Sequence, residues 1–149
     1  MNDTANQKVN DNAPPDGAKT DGAKKDAPQF DWVTQRSACT LPKVFAALRQ
    51  QVEADVKTRN DLRPNYAPYE FSLTENIEEF AVILKAKDVN RSVTFKLAND
   101  AISVHDDKDA SMFEVTISFN DRGECKLYVN EQERESWQIR RMALENLLF

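Results

Sequence analysis

Beyond Pro64 the apolar residues change their spacing, and no other feature limits the fold as strongly. Before it, Leu41, Val44, Phe45, Leu48, Val52 and Val56 recur at intervals of three and four, one continuous stripe along a helix. After it the spacing is two. Tyr69, Phe71 and Leu73 alternate with Glu70, Ser72 and Thr74, and Val93, Phe95 and Leu97 alternate with Ser92, Thr94 and Lys96. The same holds for Ile102 and Val104, for Phe113, Val115, Ile117 and Phe119, and for Cys125, Leu127 and Val129. Phe80, Val82 and Leu84 alternate instead with Ala81 and Ile83, so that strand suits burial on both sides. A period of two sends successive side chains to opposite faces of a strand.

The links between these runs are short, which makes neighbours antiparallel, because a parallel link needs a crossover of about a dozen residues. Asn99-Asp100 suits a two-residue type I′ hairpin, and Asn120-Asp121-Arg122-Gly123 a type I turn closed by a left-handed glycine. The connection Asp106 to Ser111 is looser and acidic.

Helices are expected on either side of the strands. Asp31 suits the cap of a short turn through Trp32, Val33 and Arg36, ending near Ser37. Thr40 is placed to cap the main helix, with Pro42 tolerated in its first turn, and Asn60-Asp61 and Pro64 stop it. At the far end Asn130 with Glu133 resembles a capping box, and Glu131, Glu133 and Glu135 suit the positive end of a helix. Trp137, Ile139, Met142, Ala143, Leu144, Leu147, Leu148 and Phe149 then surround most of the helix, with Arg140 and Arg141 on the remaining side. The predicted fold is α+β: an N-terminal helix, a six-stranded antiparallel meander and a C-terminal helix, as a two-layer sandwich or a strongly curved sheet.

Residues 1–29 read differently. Apart from Met1 and Val9 they are Asn, Asp, Lys, Gln, Ala, Gly, Thr and Pro, with Asp16-Gly17-Ala18-Lys19 echoed by Asp21-Gly22-Ala23-Lys24. Such a segment cannot bury enough apolar surface to offset its chain entropy. The expectation is a disordered tail over 1–29 and a single α+β domain over 30–149.

The formal charge of −5 gives no attraction to phosphate or anionic lipid, so neither nucleic acid nor membrane is expected as a partner. The start Met1-Asn2-Asp3-Thr4 lacks a secretory apolar run, and a cytoplasmic location is expected. Cys39 and Cys125 have no metal-ligand spacing and are expected as small buried hydrophobes.

Candidate chemistry is sparse. His105 is the single histidine, followed by Asp106, Asp107 and Asp109, a set that suits a metal or a base as residue types but lacks the glycine and ligand positions of a hard-metal loop. Cys39 precedes a helix start, where a thiolate gains from the dipole, yet it has no evident base. Glu78-Glu79 and Glu131 to Glu135 have structural explanations at a turn and a helix start. No phosphate loop or nucleophile elbow occurs, and the polar strand face offers Tyr128 without the aromatic and basic cluster of an RNA-binding sheet. No nucleophile, base and orienting group can be assembled, and no cofactor is expected.

What remains is a non-catalytic binding or protein-interaction module, contacting a protein partner or a second copy through Trp137, Leu144, Leu147, Leu148 and Phe149. The alternative is a small-molecule binder or enzyme with a pocket between sheet and helices.

Overall fold

The computed structural model describes residues 29–149, and nearly all of these lie in one unit, Trp32–Phe149. The expectation for the tail falls outside the described residues. Among the described residues three helices, α1 (Trp32–Ala38), α2 (Leu41–Leu62) and α3 (Ser136–Leu148), flank seven strands. These are β1 (Tyr69–Glu75), β2 (Glu79–Ala86), β3 (Asn90–Leu97), β4 (Ile102–His105), β5 (Ser111–Phe119), β6 (Cys125–Val129) and β7 (Gln132–Arg134). Every strand pairs antiparallel with its sequence neighbour, giving one sheet in the order β1 to β7.

Thr40 caps α2 as its sequence suggests, its hydroxyl accepting from the Lys43 backbone N–H. The stripe on α2 delivers Phe45, Leu48, Val52 and Val56 into the core. There they meet the inward residues of the sheet, Phe71, Phe80, Val82, Val93, Phe95, Ile102, Val104, Val115 and Val129, and Ile139, Ala143, Leu144, Leu147 and Leu148 of α3. Three phenylalanines mark its centre: Phe80 stacks on Phe95 with centroids 4.6 Å apart, and Phe45 lies 5.1 Å from Phe80. Cross-strand pairs such as Phe80↔Phe95 and Phe95↔Val104 show why the spacing of two fixes the register: a one-residue slip would turn this whole set to water. Ile117 and Leu127, members of the alternating apolar sets of β5 and β6, are half-buried. Ala81 and Ile83 lie on the outer face and are also half-buried.

Several expectations are corrected. The meander has seven strands because Asn130 and Glu131 both take positive φ, 53° and 66°. That pair turns the chain back, so Gln132, Glu133 and Arg134 pair with β6. The helix therefore starts later, at Ser136, with Glu135 as N-cap and the Gln138 side chain accepting from the Glu135 N–H. Asn99-Asp100 is a tight turn closed by Ala98 N–H to Ala101 C=O at 2.9 Å, yet neither central residue has positive φ, so it is not type I′. Gly123 does take the left-handed conformation, at φ 76°, as its turn requires.

The cysteines differ most from expectation. Cys39 and Cys125 are not two separate thiols but one disulfide, closing a loop with a sequence separation of 86. Cys125 stands opposite Phe119 on the helix-covered face of the sheet, so the bond ties the α1–α2 junction to β6.

Candidate functional site

Helices α2 and α3 lie side by side and run in the same direction. Ser136 reaches the Gln51 side chain, Arg140 pairs with Asp55 at 3.0 Å, and Arg59 Nε donates to the Leu148 carbonyl at 2.6 Å. Between them, on the side away from the sheet, is a groove of about 400 Å³. One wall is Asp55, Thr58, Arg59 and Leu62, an i, i+3, i+4, i+7 set along α2; the other is Trp137, Arg141 and Glu145 of α3 with its C-cap Phe149, and Leu144 and Leu148 lie below.

The rim is apolar and open: Leu62 is 70 % exposed, Trp137 49 % and Phe149 86 %. Arg59 organises this end, its guanidinium lying 5.0 Å from the Phe149 ring centroid, 5.3 Å from Phe71 and 5.8 Å from Tyr69. Its bond to Leu148 also places a cation at the carbonyl end of α3, where the helix dipole favours one. Asp55 is held above its ordinary value because burial outweighs the attraction and hydrogen bonding of Arg140.

Of the residues expected to form an interaction surface, Trp137, Leu144, Leu148 and Phe149 line this groove, and Leu147 does not. Leu147 turns into the core with Ile139 and Ala143, and Leu144 and Leu148 are buried in it as well, so that of the five expected surface residues Trp137 and Phe149 are the exposed ones. The terminal helix is therefore not apolar all round: its own sheet takes one broad stripe, and Met142, Arg141 and Glu145 face outward. Leu62, Arg59 and Asp55 were not picked out from the sequence. Asp55 and Arg59 stand seven residues beyond Leu48 and Val52, and Leu62 seven beyond Asp55, so they continue the flank of the apolar stripe and nothing in the spacing set them apart.

A second depression runs between α2 and β1, lined by residues that include Glu53, Lys57, Asp61 and Leu73. Its ends are closed by the Asn60 side chain on the Phe71 backbone and by the Arg49–Glu75 ion pair at 3.4 Å. That arrangement covers a sheet edge, which native sheets need in order to avoid pairing with other chains.

His105 does gain partners that the sequence reading did not assemble. Ser103, two residues back on the same strand face, places its Oγ 3.0 Å from His105 Nε2. The loop Asp106–Asp109 folds back with Asp109 at φ 62°, so the Asp109 carboxylate lies 3.6 Å from His105 Nδ1. The Ser103 hydroxyl and the Asp109 carboxylate thus lie on opposite nitrogens of the imidazole, although the Asp109 backbone carbonyl is nearer to Nδ1, at 3.4 Å. The carboxylate, however, belongs more closely to Lys96, at 3.0 Å, which holds its pKa below the ordinary value. The array lies on the outer face of the sheet, where it pins the acidic loop to β3 and β4. Asp106 completes the loop by accepting from the N–H groups of Lys108 and Ala110. Asp107 is exposed.

Among the described residues no group of three or more His, Cys, Asp or Glu side chains is arranged to hold a metal, and no helix is long and apolar enough to cross a membrane. Cys39 and Cys125, being bonded, present no thiolate. Glu78 and Glu79 sit at the β1–β2 turn, where the Asn76 side chain accepts from both N–H groups, and Glu131 and Glu133 lie in the β6–β7 hairpin rather than at a helix start. Comparison with known proteins found no matching family model, no matching curated protein and no matching solved structure.

Proposed function

We propose that this chain is a non-catalytic protein-interaction module whose contact surface is the groove between α2 and α3. One observation carries this reading. Of the exposed large apolar residues, Leu62, Trp137 and Phe149 line one groove, while the apolar side chains between sheet and helices form one contiguous buried cluster. Exposed apolar residues gathered in one place mark contact sites more often than scattered ones do. The filled core weighs against the alternative, a small-molecule binder or enzyme with a pocket in that layer. The net charge of −5 favours protein over nucleic acid or anionic membrane as the partner.

The disulfide adds a statement about place. Such bonds persist in oxidising compartments and are rare where thiol reductants act. The Cys39–Cys125 bond therefore supports an oxidising compartment over the cytoplasm.

The test is capture with two bait variants. A tagged full-length chain is used to pull down from its native extract, beside Leu62→Asp/Trp137→Ala in the groove and Thr116→Ala/Tyr128→Ala on the outer sheet face. The proposal expects a discrete bound species, including untagged copies of the chain itself, that the groove variant loses and the sheet variant keeps. Equal capture by all three would place the contact elsewhere.

A further inference from the structure

We infer that the partner on the α3 wall of this groove is a second copy of the chain, packed about a two-fold axis level with Ala143. This rests on the groove being a contact surface and names its occupant. Four residues form the outer ridge of α3 and its C-cap at four-residue spacing: Trp137, Arg141, Glu145 and Phe149. Each is exposed, and Arg141 and Glu145 pair within the chain at 3.3 Å with side chains 63 % and 53 % exposed.

The order along the ridge is aromatic, cation, anion, aromatic, and that order is complementary to its own reverse. If two copies of α3 cross antiparallel at the level of Ala143, Arg141 of each meets Glu145 of the other, and Trp137 of each meets Phe149 of the other. At a rise of about 1.5 Å per residue the charged pair lies about 3 Å from the crossing level and the aromatic pair about 9 Å, so both fall on one contact. The four charges then alternate in sign around the axis, each cation flanked by its own chain's anion and its partner's. Ridges of residues four apart packing against one another are the commonest helix–helix contact, and a two-fold pair is the commonest oligomer. A parallel arrangement would set Arg141 against Arg141. The charge pattern therefore selects one orientation as well as one partner.

Charge exchange tests this directly. The full-length protein is studied by sedimentation equilibrium from micromolar to near-millimolar concentration, beside Arg141→Glu, Glu145→Arg and the double exchange Arg141→Glu/Glu145→Arg, with circular dichroism and thermal melting confirming that each is folded. The wild type is expected to dimerise. Each single variant puts like charges opposite one another and is expected to weaken the dimer by about tenfold or more, because facing like charges oppose association. The double exchange restores opposite charges across the axis and is expected to recover the dimer. A second pair, Trp137→Ala and Phe149→Ala, is expected to weaken the dimer while leaving its dependence on salt as in the wild type. A wild type that stays monomeric overturns the inference, as does a dimer indifferent to the single exchanges or not recovered by the double one. In a monomeric outcome the groove reading still stands if the groove bait loses its captured species while the sheet bait keeps it. If both baits capture equally, the reading fails with the inference.

Discussion

The Asn60 side chain is paired with the backbone of Phe71 as a neighbouring strand would be: its Nδ2 donates to the Phe71 carbonyl at 2.7 Å, and its Oδ1 accepts from the Phe71 N–H at 3.0 Å. One residue thus ends the ladder at the β1 edge and fixes the last turn of α2 to the sheet. Replacing Asn60 with Ala leaves both Phe71 groups without these partners and is expected to cost about 1–3 kcal/mol, since unmade bonds at partly buried backbone are expensive. Urea unfolding of the variant measures it, and a change within about 0.5 kcal/mol of wild type, as at an ordinary surface site, would mean that water replaces the amide without loss.

The Cys39–Cys125 bond predicts a mass and a stability. The untreated protein should be lighter than its reduced form by two hydrogens and should react with thiol reagents only after unfolding and reduction, because Cys39 is buried. Replacing both cysteines with Ser is expected to cost about 2–5 kcal/mol, as cross-linking so long a loop restricts the unfolded chain. Two free thiols titrated in the native protein, prepared without reductant, would remove both the bond and the compartment inferred from it.

At the centre of the core Phe95 stacks on Phe80 and faces Val104 across the sheet. Phe95→Ala is expected to lose about 3–5 kcal/mol in equilibrium unfolding, from lost transfer energy and the cavity left behind. Leu48→Ala, on the facing helix, is expected to lose about 2–5 kcal/mol. A loss below about 1 kcal/mol at either site would mean that the helix layer is packed differently.

Acid stability separates three carboxylates by sign. Asp109 and Glu124 are held below their ordinary values, the first chiefly by a hydrogen bond from Lys96 and the second chiefly by one from Asn120. Each contributes stability that is present above its unfolded pKa and is lost as pH falls through its folded one. Asp55 is raised, mainly by burial, so its contribution is present below the unfolded pKa and is lost as pH rises through the folded value. Urea midpoints followed downward through the carboxylate range should therefore fall less steeply in Asp109→Asn and more steeply in Asp55→Asn than in the wild type. The reverse ordering would contradict both assignments.

Local pattern accounts for how far the fold could be read in advance. The α2 stripe and the alternation from Tyr69 to Val129 locate their elements because burial on one face leaves a period in the residues. Gln132, Glu133 and Arg134 leave none: all three are polar, and β7 exists only because Asn130 and Glu131 turn the chain back. The disulfide was illegible for a different reason, since two cysteines at a separation of 86 carry no record of their distance in space. At the candidate site, Trp137 and Phe149 were visible as surplus apolar residues on the last helix. Leu62 and Arg59 acquire meaning only from the parallel placement of α2 beside α3, which depends on long-range pairs such as Asp55 with Arg140. Likewise the set of Ser103, His105 and Asp109 needs the loop's return at Asp109, and strand alternation supplies only its first two members.

Site-specific photo-crosslinking tests the central claim most directly. A benzophenone side chain is placed at Thr58 inside the groove in one version of the full-length protein and at Thr116 on the outer sheet face in another, and each is irradiated in the native cell. The groove position is expected to give a discrete adduct, with a second copy of the chain among its products, and the sheet position none above background. Adducts confined to Thr116, with Thr58 silent, would contradict the assignment of the groove as the surface by which this protein acts.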